Sequence, residues 1–262
     1  MGVRLAGVAV LLACAAAAHG QAAATADGLQ GKLAKLAAAS EDLEEHLPSF
    51  ACKETLVSRE LRGKKVKTEV RAAGELRVMR DPTGKLNERF EASEMNGRPI
   101  TPDNLRLPMF VSGGFRNALD FLRADLQMCF RFSIAGNRLN FDSGTEAATP
   151  ECAKHTETRG FALLSSDGDI VHMERQVPVE LAQQRNAVPF GSIDLNRTDL
   201  GGKSFLLSTH VRAEIPKGKS TYRWEATYSD CRLYSVSVTI GPATLVDPDA
   251  HGSGGGSGPT NP

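Results

Sequence analysis

Tyr222-Arg-Trp-Glu-Ala-Thr-Tyr-Ser-Asp-Cys-Arg-Leu-Tyr-Ser-Val-Ser-Val-Thr-Ile240 is the stretch on which the reading of this chain turns. Its even positions Tyr222, Trp224, Ala226, Tyr228, Tyr234, Val236, Val238 and Ile240 are apolar or aromatic, while the odd ones are mostly Arg, Glu, Thr and Ser. That period of two half-buries a β-strand. Only Asp230 and Arg232 interrupt the apolar phase. At about 3.3 Å per residue a straight strand of this length would exceed ~60 Å, too long for one domain, so a bend or bulge is expected near Ser229-Asp230. Asp230 and Arg232 then have two readings: a carboxylate and a guanidinium facing a cavity, or a satisfied pair at the bend, which is favoured.

The same period runs through Val66, Val70, Ala72, Leu76 and Val78, with Lys65, Lys67, Glu69, Arg71, Glu75 and Arg77 on the wet side. Further strands are expected at 50–61, 86–95, 128–134, 159–164, 170–177 and 205–215. Turn chemistry separates them: Asp81-Pro82-Thr83-Gly84, Asn96-Gly97, Gly136-Asn137, Asp167-Gly168-Asp169, Gly201-Gly202 and Pro216-Lys217-Gly218. Many strands on short turns mean an antiparallel meander. Two helical interruptions are expected, at 114–126, carrying Phe115, Leu119, Leu122 and Leu126, and at 178–184.

Ahead of the strands, Leu29, Leu33, Leu36, Ser40, Leu43 and Leu47 step by four and three. This predicts a helix lying on the sheet, opened by Asp27 with Gln30 and closed at Pro48; a coiled-coil seam is the lesser alternative for so short a stripe. The expected class is α+β: a long, strongly curved antiparallel sheet, a half-barrel, with an N-terminal helix at 21–48, a sheet domain at 49–246 and one or two inserted helices. The tail at 247–262, rich in Gly and Ser, has nothing to bury and is expected to be disordered.

Residues 1–20 read as a secretory signal: Arg4 in a short basic head, apolar Leu5 to Ala18, and small residues before a cut at Gln21. Leu11-Leu12-Ala13-Cys14 offers a less favoured alternative, a lipid anchor on Cys14. The apolar run is too short for a spanning helix, and no later segment supplies a transmembrane one. With the leader removed, Cys52, Cys129, Cys152 and Cys231 remain, an even set suited to two disulfides in a periplasmic or extracellular setting. Of three connectivities, Cys129 with Cys152 and Cys52 with Cys231 are favoured, the second tying the first strand to the last long one.

The whole chain carries 31 Lys+Arg and 31 Asp+Glu, and loss of the leader removes only Arg4 from this balance. Near-neutrality argues against nucleic acid as a partner, and the basic run Arg62 to Lys67 reads as a hairpin turn around Gly63. His46, His155, His172 and His210 are scattered; His172 and Glu174 share a strand face, but two ligands make no zinc site. There is no Gly-x-Ser-x-Gly elbow and no Cys-x-x-Cys. No catalytic residue, metal or cofactor is expected.

The sequence Tyr228, Asp230, Arg232 and Tyr234, with Cys231 at the position of a second tyrosine, resembles the late strand of the periplasmic lipoprotein-carrier group, the LolA-like and RseB-like proteins. Leu47 to Cys52 and Val238 to Pro242 also resemble uncharacterised secreted bacterial proteins. The first resemblance implies a concave apolar sheet face under helices that holds an acyl chain or a peptide. By strand phase its lining would be Leu76, Val78, Phe130, Phe132, Leu207, Val211, Trp224 and Tyr228, with Asp230 and Arg232 as polar candidates. The plain alternative is that these residues pack one another as core. Three functions stand: an exported, non-enzymatic binding protein for a lipid or lipoprotein acyl chain; a cell-envelope module that docks another protein; and, last, an unrecognised hydrolase.

Overall fold

The computed structural model describes residues 11–111, 122–147 and 149–234, the side chains of 11–27 excepted. Residues 1–10, the late-strand positions 235–240 and the tail 247–262 lie outside the described residues, as does most of the expected helix at 114–126. A single α-helix, α1, runs Leu11–His46, straight through the expected opening at Asp27. Its end agrees with the place set by Pro48.

Among the described residues eleven strands follow: β1 (Phe50–Arg62), β2 (Lys65–Arg80), β3 (Leu86–Met95), β4 (Arg98–Pro99), β5 (Arg131–Ala135), β6 (Arg138–Asp142), β7 (Arg159–Leu164), β8 (Ile170–Gln176), β9 (Phe190–Leu200), β10 (Lys203–Lys217) and β11 (Ser220–Leu233). Between them lie the short helices α2 (Ala124–Gln127) and α3 (Val179–Gln184), and 3-10 turns at Pro102–Asn104 and Pro150–His155. All strands join one sheet in the order β4-β3-β2-β1-β11-β10-β9-β8-β7-β6-β5, each neighbour antiparallel. The sheet is therefore two meanders, β1 to β4 and β5 to β11, sewn along one seam between β1 and β11. Its ends, β4 and β5, remain open.

The bend expected near Asp230 lies on that seam. Lys53 pairs with Ser229 but Ala51 pairs with Arg232, so two residues of β11 oppose Cys52 alone. Asp230 takes the positive φ of 50° that such a bulge requires. Cys231, beside it, is disulfide-bonded to Cys52 across the seam, and Cys129 to Cys152 in the other meander, the two favoured pairings. Asn96 and Gly97 both have positive φ, the backbone of a type I′ hairpin turn.

The stripe on α1 does what its spacing foretold. Leu33, Leu36, Ala37, Ser40 and Leu47 are buried, and Leu29 and Leu43 half-buried. Leu33 and Leu36 join a core built on β6 to β9, Leu47 joins one built on β1, β2, β10 and β11, and Leu43 touches both. Each fully buried leucine contributes about 1.5–3 kcal/mol, so the helix binds the two meanders together. Its last carbonyls are capped from β2, where the Arg80 guanidinium donates to Glu44 O at 2.7 Å and Leu47 O at 3.0 Å.

Three expectations are corrected. β9, with Gly191, Asp194, Asn196 and Asp199, has poor strand composition and went unread; it forms because β8 and β10 pair it on both sides. Val66, expected on the buried side, is 52% exposed, because β3 joins β2 only from Ala72 onward and leaves the hairpin tip uncovered. Of the helix expected at 114–126, the described part is only the four-residue α2, with Leu122 buried ahead of it.

Candidate functional site

Along β1 the even residues Cys52, Glu54, Leu56 and Ser58 all point to one buried face. Across the seam they meet Tyr228, Ala226 and Trp224, in register with Glu54, Leu56 and Ser58 respectively. Val211 and Ala213 of β10 continue the same rows opposite Ala226 and Trp224. Leu76 and Val78 extend the face on the β2 side, where Leu76 pairs with Cys52 and Val78 with Phe50. Six of the candidate lining residues, Leu76, Val78, Leu207, Val211, Trp224 and Tyr228, thus fall in one apolar cluster.

Phe130 and Phe132 do not join them. They belong to the second cluster, with Phe141 edge-on to Phe130. Asp230 and Arg232 are exposed on the wet side of the seam, where Asp230 pairs with Lys53 at 2.6 Å and Arg232 with Glu75. Both are satisfied pairs at the bulge, the favoured of their two readings. That wet side is a lattice of opposite charges: Arg59 reaches Glu69 and Glu225, and Arg223 reaches Glu214.

A strap, residues 100–111, crosses the buried face after β4. It is clamped through Ser58, whose hydroxyl accepts from Met109 N at 2.9 Å and donates to Met109 O at 2.8 Å. Met109 is buried in the cluster, with Leu105, Leu107 and Val111 packed against it. Phe110 stands edge-on to Trp224 at 6.4 Å yet is 50% exposed.

Under this strap the face is not wholly apolar. Glu54, a residue the sequence reading passed over, is 3% exposed and its Oε2 has no hydrogen-bond partner among the described residues. The Nε1–H of Trp224 is likewise buried without a partner among the described residues; so is the Oγ of Ser208, which pairs with Leu195 beside the second cluster. Burial, with the charge of Glu88 on β3 adding to it, pushes the Glu54 carboxyl up to about 8. The Tyr228 phenol is raised too, by burial first and then by Glu54 and Glu88. The only signal for Glu54 in the sequence is an acid at an even, inward position of β1, where the phase demands an apolar residue.

The described residues also bound a cavity of about 600 Å³, lined by Arg131, Asp142, Arg159, Gln176 and Val179 among others. It sits at the far end of the sheet, and none of the candidate lining residues reaches it. His172 lies near Glu174 as expected, at 3.5 Å, but its closer partner is Asp194 at 2.6 Å, which also faces His210 at 3.3 Å. Asp194 was missed with the rest of β9. Among the described residues no group of side chains is arranged to hold a metal ion, and no helix is long and apolar enough to cross a membrane.

No family model matches this chain, and no curated protein does. Solved structures do. They include a LolA superfamily protein from Nitrosomonas europaea, 11% identical over 78% of this chain and 94% of its own, with a TM-score of 0.33. Another is a DUF1329 family protein from Desulfovibrio piger, 14% identical over 80% and 94%, at 0.39. A third is a domain from Vibrio parahaemolyticus named for outer membrane lipoprotein sorting, 8% identical over 76% and 90%, at 0.33. The group that Tyr228 to Tyr234 resembles is thus among the structures this chain is similar to. Likeness at this level concerns the course of the chain and brings no ligand with it.

Proposed function

We propose that this is an exported, non-enzymatic binding protein that takes an acyl chain between the buried face of β1, β2, β10 and β11 and the strap at 100–111. The observation that carries the reading is the pair of buried polar atoms on that face without partners among the described residues, Glu54 Oε2 and Trp224 Nε1. A core with no other duty would fill these positions with apolar groups, since each unsatisfied atom costs about 1–3 kcal/mol. A ligand that lifts the strap would find an apolar trough with polar anchors already in place. The two disulfides support an oxidising compartment, periplasmic or extracellular.

Trp224 is the chain's single tryptophan, so its fluorescence reports on the trough alone. Titration with phosphatidylcholine brominated on its acyl chains should quench it saturably, near one lipid per protein. Undiminished fluorescence at saturating lipid would refute acyl binding there. The packed state of the face is what a protein-docking module would also show, but the large exposed apolar side chains, Val66, Phe110, Met128, Val171 and Leu233, lie on five different segments.

A further inference from the structure

Resting on the acyl-binding reading, we propose that Glu54 is the residue that selects the ligand's polar group, donating a hydrogen bond to the carbonyl oxygen of an uncharged acyl ester and disfavouring the free fatty-acid anion. The geometry carries this. Glu54 lies between Tyr228 on β11 and Gly74 on β2, in register with both. On the β2 side the backbone of β3 closes in on Gly74, where a Cβ would stand 2.1 Å from Glu91 O, so no side chain from β2 reaches the carboxyl there. The carboxyl is 3% exposed, and its Oε2 lacks a partner among the described residues, so the fold buries a polar atom that it does not itself satisfy.

The chemistry of the ligand follows from the protonation state. Burial first, and then the negative charge of Glu88 on β3, hold the proton on Glu54, which in turn acts on the neutral Tyr228 phenol across the seam. A neutral carboxyl offers one O–H donor, so the partner it lacks is an acceptor. Trp224 Nε1–H, four residues along β11 and roughly 13 Å away at strand spacing, is another donor without an acceptor. An ester carbonyl placed at Glu54 meets the need of that donor without bringing charge into the trough. A fatty-acid carboxylate would also accept, but it would place a full negative charge near Glu88 in a desolvated site.

The test uses the whole chain, Trp224 quenching, and two probes that differ only at the head: doxyl-stearic acid methyl ester and free doxyl-stearic acid. The wild type at pH 6.5 should bind the ester at least tenfold more tightly than the acid. Ester affinity should fall severalfold by pH 9, where Glu54 has ionised and can only accept. Glu54→Gln keeps an N–H donor and should make ester affinity independent of pH, whereas Glu54→Leu should bind both probes with no preference. Near-UV circular dichroism checks that each variant is folded. Equal binding of the two probes by wild type, or an ester preference unchanged in Glu54→Leu, overturns the role of Glu54 while leaving acyl binding standing. Quenching by neither probe overturns both.

Discussion

Glu54 and Tyr228 stand directly opposite each other across the seam between β1 and β11, 3% and 6% exposed, in the middle of the larger apolar cluster. The seam is where the two meanders of the sheet meet, so the most desolvated carboxyl described lies on the joint that closes the fold. Stability is therefore coupled at this point to the ionisation of Glu54.

Protonation shows the coupling. The carboxyl is held neutral up to about pH 8 in the folded chain, while in the unfolded chain it ionises near 4.5. Between those values the unfolded state releases a proton that the folded state keeps. The contribution is thus fully present below about 4.5 and is lost as the pH rises through 8, on the order of a few kcal/mol across the window. Glu54→Gln should be more stable than wild type at pH 9 and lose most of that advantage at pH 4. Urea unfolding at the two pH values measures it; equal differences at both would show that Glu54 is not neutral in the fold.

Ser58→Ala removes the clamp on the strap. Met109 would keep its buried N–H and C=O but lose the hydroxyl that satisfies both, at a cost of about 1–3 kcal/mol. Amide hydrogen exchange should quicken at 105–111 and remain unchanged in β7 and β8. Acceleration spread evenly over the sheet would mean the strap is not a separately opening unit.

Cys52 and Cys231 are 179 residues apart in the chain and adjacent on the seam. Replacing both by Ser should lower stability by roughly 2–4 kcal/mol, since the cross-link removes a long loop from the unfolded ensemble. The Cys129–Cys152 pair closes a much shorter loop of 23 residues, so its double Ser variant should lose less. Thermal melts of the two variants rank them.

Gly74→Ala should destabilise by about 1–3 kcal/mol, because its Cβ meets β3 backbone, which cannot swing aside as a side chain can. Gly63→Ala, at a turn with open space but a φ of 59°, should cost about 1–2 kcal/mol, from backbone strain alone. Chemical denaturation of both variants gives the comparison.

Much of this was legible in the chain. Tyr222 to Leu233 announced its strand by phase and its bulge by the break at Asp230, and the leucine stripe of α1 announced its buried face. Both disulfides could be chosen from strand order. β9 could not be read, because Asp194 and Asn196 are poor strand residues that only flanking strands hold in line. Its loss hid the His172–Asp194–His210 row. Glu54 was hidden differently: periodicity marks which way a side chain points, and an acid at an inward position reads as an imperfection of the pattern rather than as its most informative residue.

Native mass spectrometry of the protein exported into a bacterial periplasm, set against its denatured mass, tests acyl binding most directly. The expected result is an excess mass that disappears on denaturation and is recovered as acyl lipid. A native mass equal to the bare chain, less only the hydrogens lost to the disulfides Cys52–Cys231 and Cys129–Cys152, would contradict it.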